Sequence, residues 1–192
     1  MSYNVINLMD VCRHGTTALG PGLRYVIWTQ GCPFDCPGCI SPESHDVNAG
    51  KLVDIDALVG DIIAQKHITG LTISGGEPFL QADAVLKVLK QLKVERPEID
   101  VIIYTGFKLE DLLSAIAQEV LSYADVLIDG RYDHKRNDGY GLRGSSNQRI
   151  HFLSGRLIEY KEELENGKRK IEIDVDGHYM RTIGIPLVIN NK

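Results

Sequence analysis

Several features that would mark a particular class of protein are scarce or missing in this 192-residue sequence. No apolar run approaches the roughly 18 residues that a membrane-spanning helix needs. The net charge of −5 leaves no basic excess of the kind that nucleic-acid binding uses. Repeats, low-complexity tracts and blocks of like charge are also missing. We therefore expect one globular domain that binds neither a membrane nor a nucleic acid.

Cysteine is scarce as well, and its placement is uneven. Three of the four cysteines, Cys32, Cys36 and Cys39, fall within eight residues, whereas Cys12 is isolated and is expected to be a buried strand residue. The six histidines show no spacing typical of metal ligands. The chain begins without the charged segment and apolar core of a signal peptide. We therefore expect a cytoplasmic protein whose thiols stay reduced.

The spacing of the three clustered cysteines lets one short loop wrap three thiolates around a single inorganic centre. A structural zinc site needs four protein ligands, so the fourth would be Cys12 or a histidine. An iron–sulfur cluster would instead keep one position without a protein ligand. A disulfide framework fits least, since the cytoplasm keeps thiols reduced. The residues alone leave these three alternatives open.

Apolar residues follow two alternating patterns along the chain. Short apolar runs predict strands at 25–30, 71–74, 101–105 and 126–129. Helical spacing predicts helices at 55–66, 81–94 and 109–121, the last with one apolar face made of Leu112, Leu113, Ile116 and Val120. Strands that alternate with such helices form a parallel sheet. We predict an α/β fold, specifically a partial open (β/α) barrel of about five to six parallel strands, because the chain is too short for eight units.

Residues suited to ligand binding follow each predicted strand. The cysteine loop follows the first strand, and a Gly-Gly-Glu run follows the second. The third strand is followed by Thr105 and Gly106, and the fourth by Asp129 and Arg131. Ligands of open α/β sheets bind beyond the carboxyl ends of the strands. We therefore expect these residues to share one site.

The order of the two strongest motifs resembles that of a known superfamily. A three-cysteine loop followed one βα unit later by Gly75-Gly76-Glu77 resembles the radical S-adenosylmethionine (radical SAM) superfamily. The resemblance implies a 4Fe-4S cluster held by Cys32, Cys36 and Cys39, whose open iron takes the amino and carboxylate groups of SAM. It further implies that an electron from the reduced cluster cleaves SAM to methionine and a 5'-deoxyadenosyl radical.

The same resemblance implies SAM contacts near the second and third strands. Gly75 and Gly76 are expected to offer backbone groups to the methionyl end of SAM, although two glycines are also typical of a simple turn. Glu77 and Thr105 are expected in the same site, with a plain surface carboxylate as the alternative for Glu77. At Gly38 the superfamily commonly has an aromatic residue near the adenine, so a backbone contact is what can be carried over.

Asp129 and Arg131 resemble the Asp-x-Lys seen in some radical-forming activases, with Arg in place of Lys. The resemblance assigns both residues to the SAM site. An acid and a base two residues apart at the end of a strand are equally typical of a structural ion pair, so both interpretations stay open here.

Three stretches narrow the resemblance to the activases of glycyl radical enzymes. The run 20–24, Gly-Pro-Gly-Leu-Arg, looks like their Gly-Pro-Gly-x-Arg, although Leu19 stands where they often have Asp. The run 36–43 resembles the Cys-Pro-Gly-Cys-x-Asn-Pro-Glu of anaerobic ribonucleotide reductase activating proteins, with Ser41 replacing Asn. The run 143–149, Arg-Gly-Ser-Ser-Asn-Gln-Arg, resembles another run that these activating proteins share. The likeness covers about residues 14–155.

This resemblance implies a definite activity and definite partners. It implies removal of a hydrogen atom from a backbone glycine of a glycyl radical enzyme, and the favoured partner is an anaerobic ribonucleotide reductase. It also implies an electron donor such as flavodoxin or ferredoxin. The alternative is a radical SAM enzyme that acts on a small molecule or peptide, such as a 7-carboxy-7-deazaguanine synthase. A zinc or iron–sulfur binding module without catalysis is a more distant alternative.

The last part of the chain carries no recognisable motif. Ile171, Ile173 and Val175 alternate with charged residues, and Asp176-Gly177 precedes a second extended run, which predicts a β-hairpin. We expect residues 1–155 to form the partial barrel and residues 156–192 an appendage of the same domain. The hairpin would cover the open edge of the barrel or dock a partner, the former being favoured.

Overall fold

The structure, a computed structural model, describes residues 4–176 and 179–186. Its strands are β1 (Val5–Thr16), β2 (Arg24–Thr29), β3 (Lys51–Asp54), β4 (Gly70–Gly75), β5 (Asp100–Tyr104), β6 (Val126–Asp129), β7 (Arg149–Phe152), β8 (Ile171–Asp176) and β9 (Tyr179–Gly184). Its α-helices are α1 (Ile55–Ala64), α2 (Ala82–Glu95), α3 (Ala115–Tyr123) and α4 (Lys161–Asn166). The predicted α/β class and the C-terminal hairpin are confirmed. No helix among the described residues is long and apolar enough to cross a bilayer.

The main sheet has seven strands in the order β3-β1-β2-β4-β5-β6-β7. Four of them, β2, β4, β5 and β6, are parallel, whereas β1, β3 and β7 pair antiparallel with their neighbours. The sheet is mostly parallel and open, as predicted, but the expected count of five to six parallel strands was too high. A parallel pair needs a crossover of a dozen or more residues. The connection 17–23 is too short for one, so β1 and β2 run antiparallel.

Helices α1, α2 and α3 cover one face of this sheet and form the main core. Helix α2 buries Val85, Val88, Leu89 and Leu92, which are at most 1% exposed, as its helical spacing predicted. The parallel strands are apolar on both faces, which is typical of strands covered on both sides. The opposite face carries two smaller apolar clusters, which the C-terminal part of the chain covers.

Helix α3 begins later than its sequence pattern predicted. The Ser114 hydroxyl accepts a hydrogen bond from the Ala117 N–H at 3.1 Å and so caps the helix at this point. Residues Leu109–Asp111 form a separate 3-10 turn. As a result Leu113 is 78% exposed, and the predicted apolar face that included it was wrong.

Arg24, from the Gly-Pro-Gly-x-Arg run, lies fully buried at the amino ends of the parallel strands. Its Nε donates to the Thr72 hydroxyl at 2.7 Å, Nη1 to Asp100 at 2.5 Å, and Nη2 to the Leu71 carbonyl at 2.8 Å. A buried cation needs this degree of pairing. Arg24 therefore joins β2, β4 and β5 at the edge of the sheet opposite the cysteine loop.

The hairpin β8–β9 is a separate antiparallel sheet with Ile171 opposite Gly184 and Asp176 opposite Tyr179. Gly177 of its predicted turn lies outside the described residues. The hairpin does not pair with β3 or β7, the edge strands of the main sheet, and its role in covering an edge stays a prediction. Its second strand instead packs Ile183 against the sheet face at Cys12 and Val26.

Candidate functional site

The cysteine loop begins directly after β2 and is fixed at its base by backbone hydrogen bonds. The Gly31 N–H donates to the Ser44 carbonyl at 2.8 Å, and the Cys32 N–H donates to the His45 carbonyl at 3.1 Å. Gly31 has a φ of +93°, a conformation that favours glycine at this sharp bend. The loop therefore leaves the strand in a defined direction.

The side chains of Cys32, Cys36 and Cys39 line one cavity of about 310 Å³ at the carboxyl edge of the sheet. All three thiols are free and partly buried. Burial raises the pKa of the Cys32 and Cys39 thiols above the ordinary value, so these groups favour the protonated form in the absence of a metal. Cys12 is buried, as expected, and does not line this cavity; it packs behind it, in an apolar cluster whose Leu19, Ile183 and Ile185 do line it.

The donor set of the cavity fits an iron–sulfur cluster better than a single ion. Among the described residues no three His, Cys, Asp or Glu side chains are arranged to hold one metal ion. Three thiolates around a shared cavity suit a cluster, in which each thiolate binds a different iron. Cys32, Cys36 and Cys39 would hold such a cluster.

The glycine pair at the end of β4 packs against the base of the cysteine loop. A Cβ on Gly76 would lie 2.3 Å from the Gly31 carbonyl oxygen, and a Cβ on Gly75 would lie 2.6 Å from the Thr29 nitrogen. Gly75 has a φ of +97°, so it also makes the turn that the sequence left open. Both glycines line the cavity. The structure shows that both glycines allow close packing of the backbone. Their contact with SAM stays a prediction.

Glu77 is fully buried, so the surface-carboxylate alternative was wrong. Its carboxylate accepts hydrogen bonds from the Phe79 N–H at 2.9 Å, the Thr105 hydroxyl at 2.9 Å and the Gly106 N–H at 2.7 Å. Burial nevertheless dominates and raises the pKa of Glu77 to about 7. Glu77 and Thr105 both line the cavity. The hydrogen bonds of Glu77 to Thr105 and Gly106 connect the carboxyl ends of β4 and β5.

An aromatic residue within the cysteine loop anchors it on the other side. The Phe34 ring meets Phe107 edge to face, with ring centroids 4.7 Å apart. The Arg131 guanidinium lies 4.6 Å above the same ring. A Cβ on Gly106 would lie 2.4 Å from Phe34, so the absence of a side chain at Gly106 makes room for it.

Asp129 and Arg131 do not form the ion pair that the sequence suggested, and neither lines the cavity. The Asp129 carboxylate accepts hydrogen bonds from Arg149 and from the Leu109 N–H at 2.7 Å. Burial opposes its ionisation, but these donors and His151 outweigh burial and lower the pKa of Asp129. The ion-pair interpretation was right for Asp129 but wrong about its partner. Its role in SAM binding, like that of Arg131, stays a prediction.

The shared run 143–149 shapes the loop that follows β6. The Gln148 side chain accepts from the Gly144 N–H at 2.8 Å and the Ser145 N–H at 3.1 Å, and donates to the Gly130 carbonyl at 2.7 Å. The Asn147 amide donates to the Arg131 carbonyl at 2.8 Å. This run therefore fixes the wall of the cavity that Gly130, Gly144 and Gln148 provide.

Gly38 lies on the outer turn of the cysteine loop, where the Cys39 N–H donates to the Cys36 carbonyl at 3.0 Å. It has a φ of +72°, and a Cβ there would lie 3.0 Å from Cβ of His134. Gly38 does not line the cavity, so its contact with SAM stays a prediction.

Sequence reasoning missed two further walls of the cavity. Trp28 and Tyr104 project from β2 and β5, whose apolar runs predicted strands but did not show which side chains would face the cavity. The second strand of the hairpin and the residue after it supply residues 181–185. Arg181 donates to Asp10 at 2.6 Å and to Asp174 at 2.7 Å, which ties the hairpin to β1. The alternation in β9 predicted a strand but could not show which surface the strand would meet.

Fold and site define an α/β iron–sulfur protein, and a family model described as a 4Fe-4S single cluster domain matches residues 18–151. A crystal structure of QueE from Escherichia coli overlaps 64% of this chain and 68% of its own, with 16% identity and a TM-score of 0.41.

Curated relatives share most of the chain. An anaerobic ribonucleoside-triphosphate reductase-activating protein of Haemophilus influenzae is 36% identical over 140 residues, which is 69% of this chain and 89% of that protein. Proteins with this name from Escherichia coli K12 and Enterobacteria phage T4 are 33% and 32% identical, over 70% and 68% of this chain and 91% and 85% of their own.

The chain belongs to the family of anaerobic ribonucleoside-triphosphate reductase-activating proteins, which lies within the radical SAM superfamily. The predicted family is thereby confirmed, and its cofactors are a 4Fe-4S cluster and SAM. The zinc and disulfide alternatives for the cysteine loop were wrong.

Proposed function

We propose that this protein activates an anaerobic ribonucleotide reductase by removing a hydrogen atom from a glycine of that partner. The observation that carries the proposal is the three-cysteine loop, which faces a cavity at the carboxyl edge of the sheet. The names of the relatives support the choice of partner. When both cofactors are bound, they supply the one-electron cleavage of SAM that produces a 5'-deoxyadenosyl radical.

The residues of the chain divide the work around this cavity. Cys32, Cys36 and Cys39 would hold the cluster, and Gly75 and Gly76 would present backbone groups to the methionyl end of SAM. These glycines have no side chain to keep a ligand away from the backbone. Trp28, Tyr104 and Ile183 add apolar surface, which would limit access of water to a reactive radical.

Glycine suits the reaction as a substrate. Its Cα carries no side chain that would shield the hydrogen, and the product radical is delocalised between the adjoining amide and carbonyl groups. A cavity formed by loops at the sheet edge is compatible with a substrate presented on a polypeptide segment. We place the reaction in the cytoplasm, with a low-potential protein such as flavodoxin or ferredoxin as the electron donor. The four free cysteines support that placement, because the cytoplasm keeps thiols reduced.

The experiment that tests this function mixes reduced, cluster-loaded protein with SAM and an anaerobic ribonucleotide reductase. Electron paramagnetic resonance should show a doublet on the reductase, because one hydrogen remains on the glycine Cα. Deuteration of that Cα should collapse the doublet and place deuterium in the 5'-deoxyadenosine. A reductase without this resonance signal, together with consumption of a small molecule, would contradict the proposal.

A further inference from the structure

The loop after β6 concentrates positive charge in an acidic protein. Residues 131–136 contain three cationic side chains, those of Arg131, Lys135 and Arg136, and one carboxylate, that of Asp133. The whole chain, by contrast, has 26 acidic and 21 basic residues. All three cationic side chains are exposed. Among the described residues none of the three takes part in an ion pair. We call residues 131–136 the basic segment.

The basic segment touches the cysteine loop at two points. The Arg131 guanidinium lies 4.6 Å above the ring of Phe34. Beyond it, His134 packs so closely on Gly38 that a Cβ on this glycine would lie 3.0 Å from Cβ of His134. Gly38 and Pro37 are exposed and lie between two of the cysteines. The positive charge therefore flanks the place where the cysteine loop reaches the protein surface.

The shape of the basic segment is fixed by its neighbours. The Asp133 N–H donates to the Ser145 hydroxyl at 3.1 Å, and the Ser146 N–H donates to the Arg136 carbonyl at 2.8 Å. The carboxylate of Asp133 accepts from the Lys135 N–H at 3.0 Å and caps the short turn His134–Arg136. A backbone held in this way loses little conformational entropy when a partner binds.

We propose that the basic segment is the docking surface for a small, acidic, low-potential one-electron carrier protein. The inference rests on the proposed function, which requires an electron from outside the chain. Electron transfer weakens steeply with distance, so the carrier must dock where the cysteine loop is exposed. Redox carriers bury little surface in the interfaces with their partners, and their complexes are short-lived. Opposite charges on the two proteins steer the formation of such complexes. The carrier gives up one electron and the cluster takes it up, with no bond or proton transferred.

Flavodoxin is the probe for the test, and two single charge reversals, Lys135→Glu and Arg136→Glu, are the variants. Lys66→Glu is the matched control, because Lys66 is exposed and precedes β4, at the opposite edge of the sheet. Stopped-flow mixing measures the second-order rate constant for reduction of the cluster by reduced flavodoxin. At low ionic strength each reversal should lower this constant about tenfold, while the control leaves it unchanged. The difference should shrink at high salt, because salt screens exposed charges.

Two further measurements separate this proposal from the proposed function. Binding of oxidised, fluorescently labelled flavodoxin, followed by anisotropy, should weaken in both reversals and requires neither SAM cleavage nor a reductase. Reduction by dithionite should be equal in all variants. If wild type bound flavodoxin but formed no glycyl radical with dithionite, the proposed function would fail while the docking surface stood.

Three outcomes would overturn the docking proposal. The first is an unchanged rate constant in both reversals. The second is found if the reversals leave the kinetics of reduction by flavodoxin unchanged but abolish radical formation on the reductase when dithionite is the reductant. That result would make the basic segment a surface for the reductase. The third is binding of a DNA or RNA duplex that both reversals abolish while flavodoxin binding persists.

Discussion

Gly76 lies against Gly31 so closely that a Cβ on Gly76 would stand 2.3 Å from the Gly31 carbonyl oxygen. The same oxygen accepts a hydrogen bond from the Glu77 N–H at 2.8 Å. Since Gly31 directly precedes Cys32, the glycine pair after β4 holds the base of the cysteine loop. The two motifs that place the chain in its family are therefore one packed unit, and a change in either should disturb both.

Substitution of Gly76 by alanine should displace the cysteine loop. The added methyl meets backbone, which cannot rotate away, so we expect lower iron content after anaerobic reconstitution and a loss of about 1–3 kcal/mol of stability. Gly60→Ala is the control, because Gly60 lies within α1 with open space around it and alanine there should stabilise by about 1 kcal/mol. Iron analysis and thermal unfolding measure both effects. A Gly76→Ala protein with full iron content would show that this contact does not position the loop.

Each of Cys32, Cys36 and Cys39, replaced by alanine, should prevent assembly of a stable cluster, whereas wild type should bind about four irons and four sulfides. Cys12→Ala should keep the cluster and lose only about 1 kcal/mol of stability, since its side chain packs in an apolar group. Iron and sulfide analysis separates the two classes. Loss of iron in Cys12→Ala would assign a ligand role to the fourth cysteine.

Arg24→Met should be strongly destabilising without altering the groups around the cavity. It leaves Asp100 and the Leu71 carbonyl without a buried partner, which costs about 3–5 kcal/mol. Arg13→Met should cost at most about 1 kcal/mol, because Arg13 is half exposed and 3.8 Å from Asp61. Urea unfolding measures the difference. Equal effects would mean that the buried hydrogen bonds contribute little net stability.

Glu77 should make the stability of the cluster-free protein depend on pH. Its folded pKa of about 7 lies above the ordinary value of 4.5, so at intermediate pH the folded state keeps a proton that the unfolded chain has released. Stability contributed by that proton is complete below about pH 4.5 and is lost as the pH rises to about 7, by up to about 3 kcal/mol. Glu77→Gln should remove this part of the slope in urea unfolding, and Glu95→Gln, an exposed control, should retain it. A slope that survives in Glu77→Gln would assign the pH dependence to other groups.

The sequence predicted the repeating part of the fold well, because that part depends on local patterns. Apolar spacing in 81–94 located α2 and its buried face, and the run 126–129 matches β6. It failed where a side chain overrides the pattern. Ser114 caps α3 and moves its start past Leu109, although Leu109 and Leu112 fit the helical spacing.

The candidate site was predictable as an edge of the sheet but not in its detail. Strand order alone brought the cysteine loop, Gly75, Gly76 and Thr105 together, since parallel strands end at the same edge. Which carboxylate pairs with which cation depends on contacts far apart in sequence. Asp129 is paired with Arg149 across β6 and β7, and its near neighbour Arg131 lies on Phe34 instead.

Gln148 offers the sharpest test of the loop after β6. Gln148→Ala removes the acceptor of the Gly144 and Ser145 N–H groups and the donor to the Gly130 carbonyl, and it should therefore loosen one wall of the cavity while leaving the cysteines untouched. We expect iron content to match wild type and SAM affinity to fall about tenfold, equivalent to about 1.4 kcal/mol. Calorimetric titration of SAM into the cluster-loaded protein measures this change, with Ser146→Ala, an exposed neighbour, as control. If Gln148→Ala bound SAM as wild type does, the loop after β6 would not form part of the SAM site, and the cavity walls at β4 and β5 would have to account for binding alone.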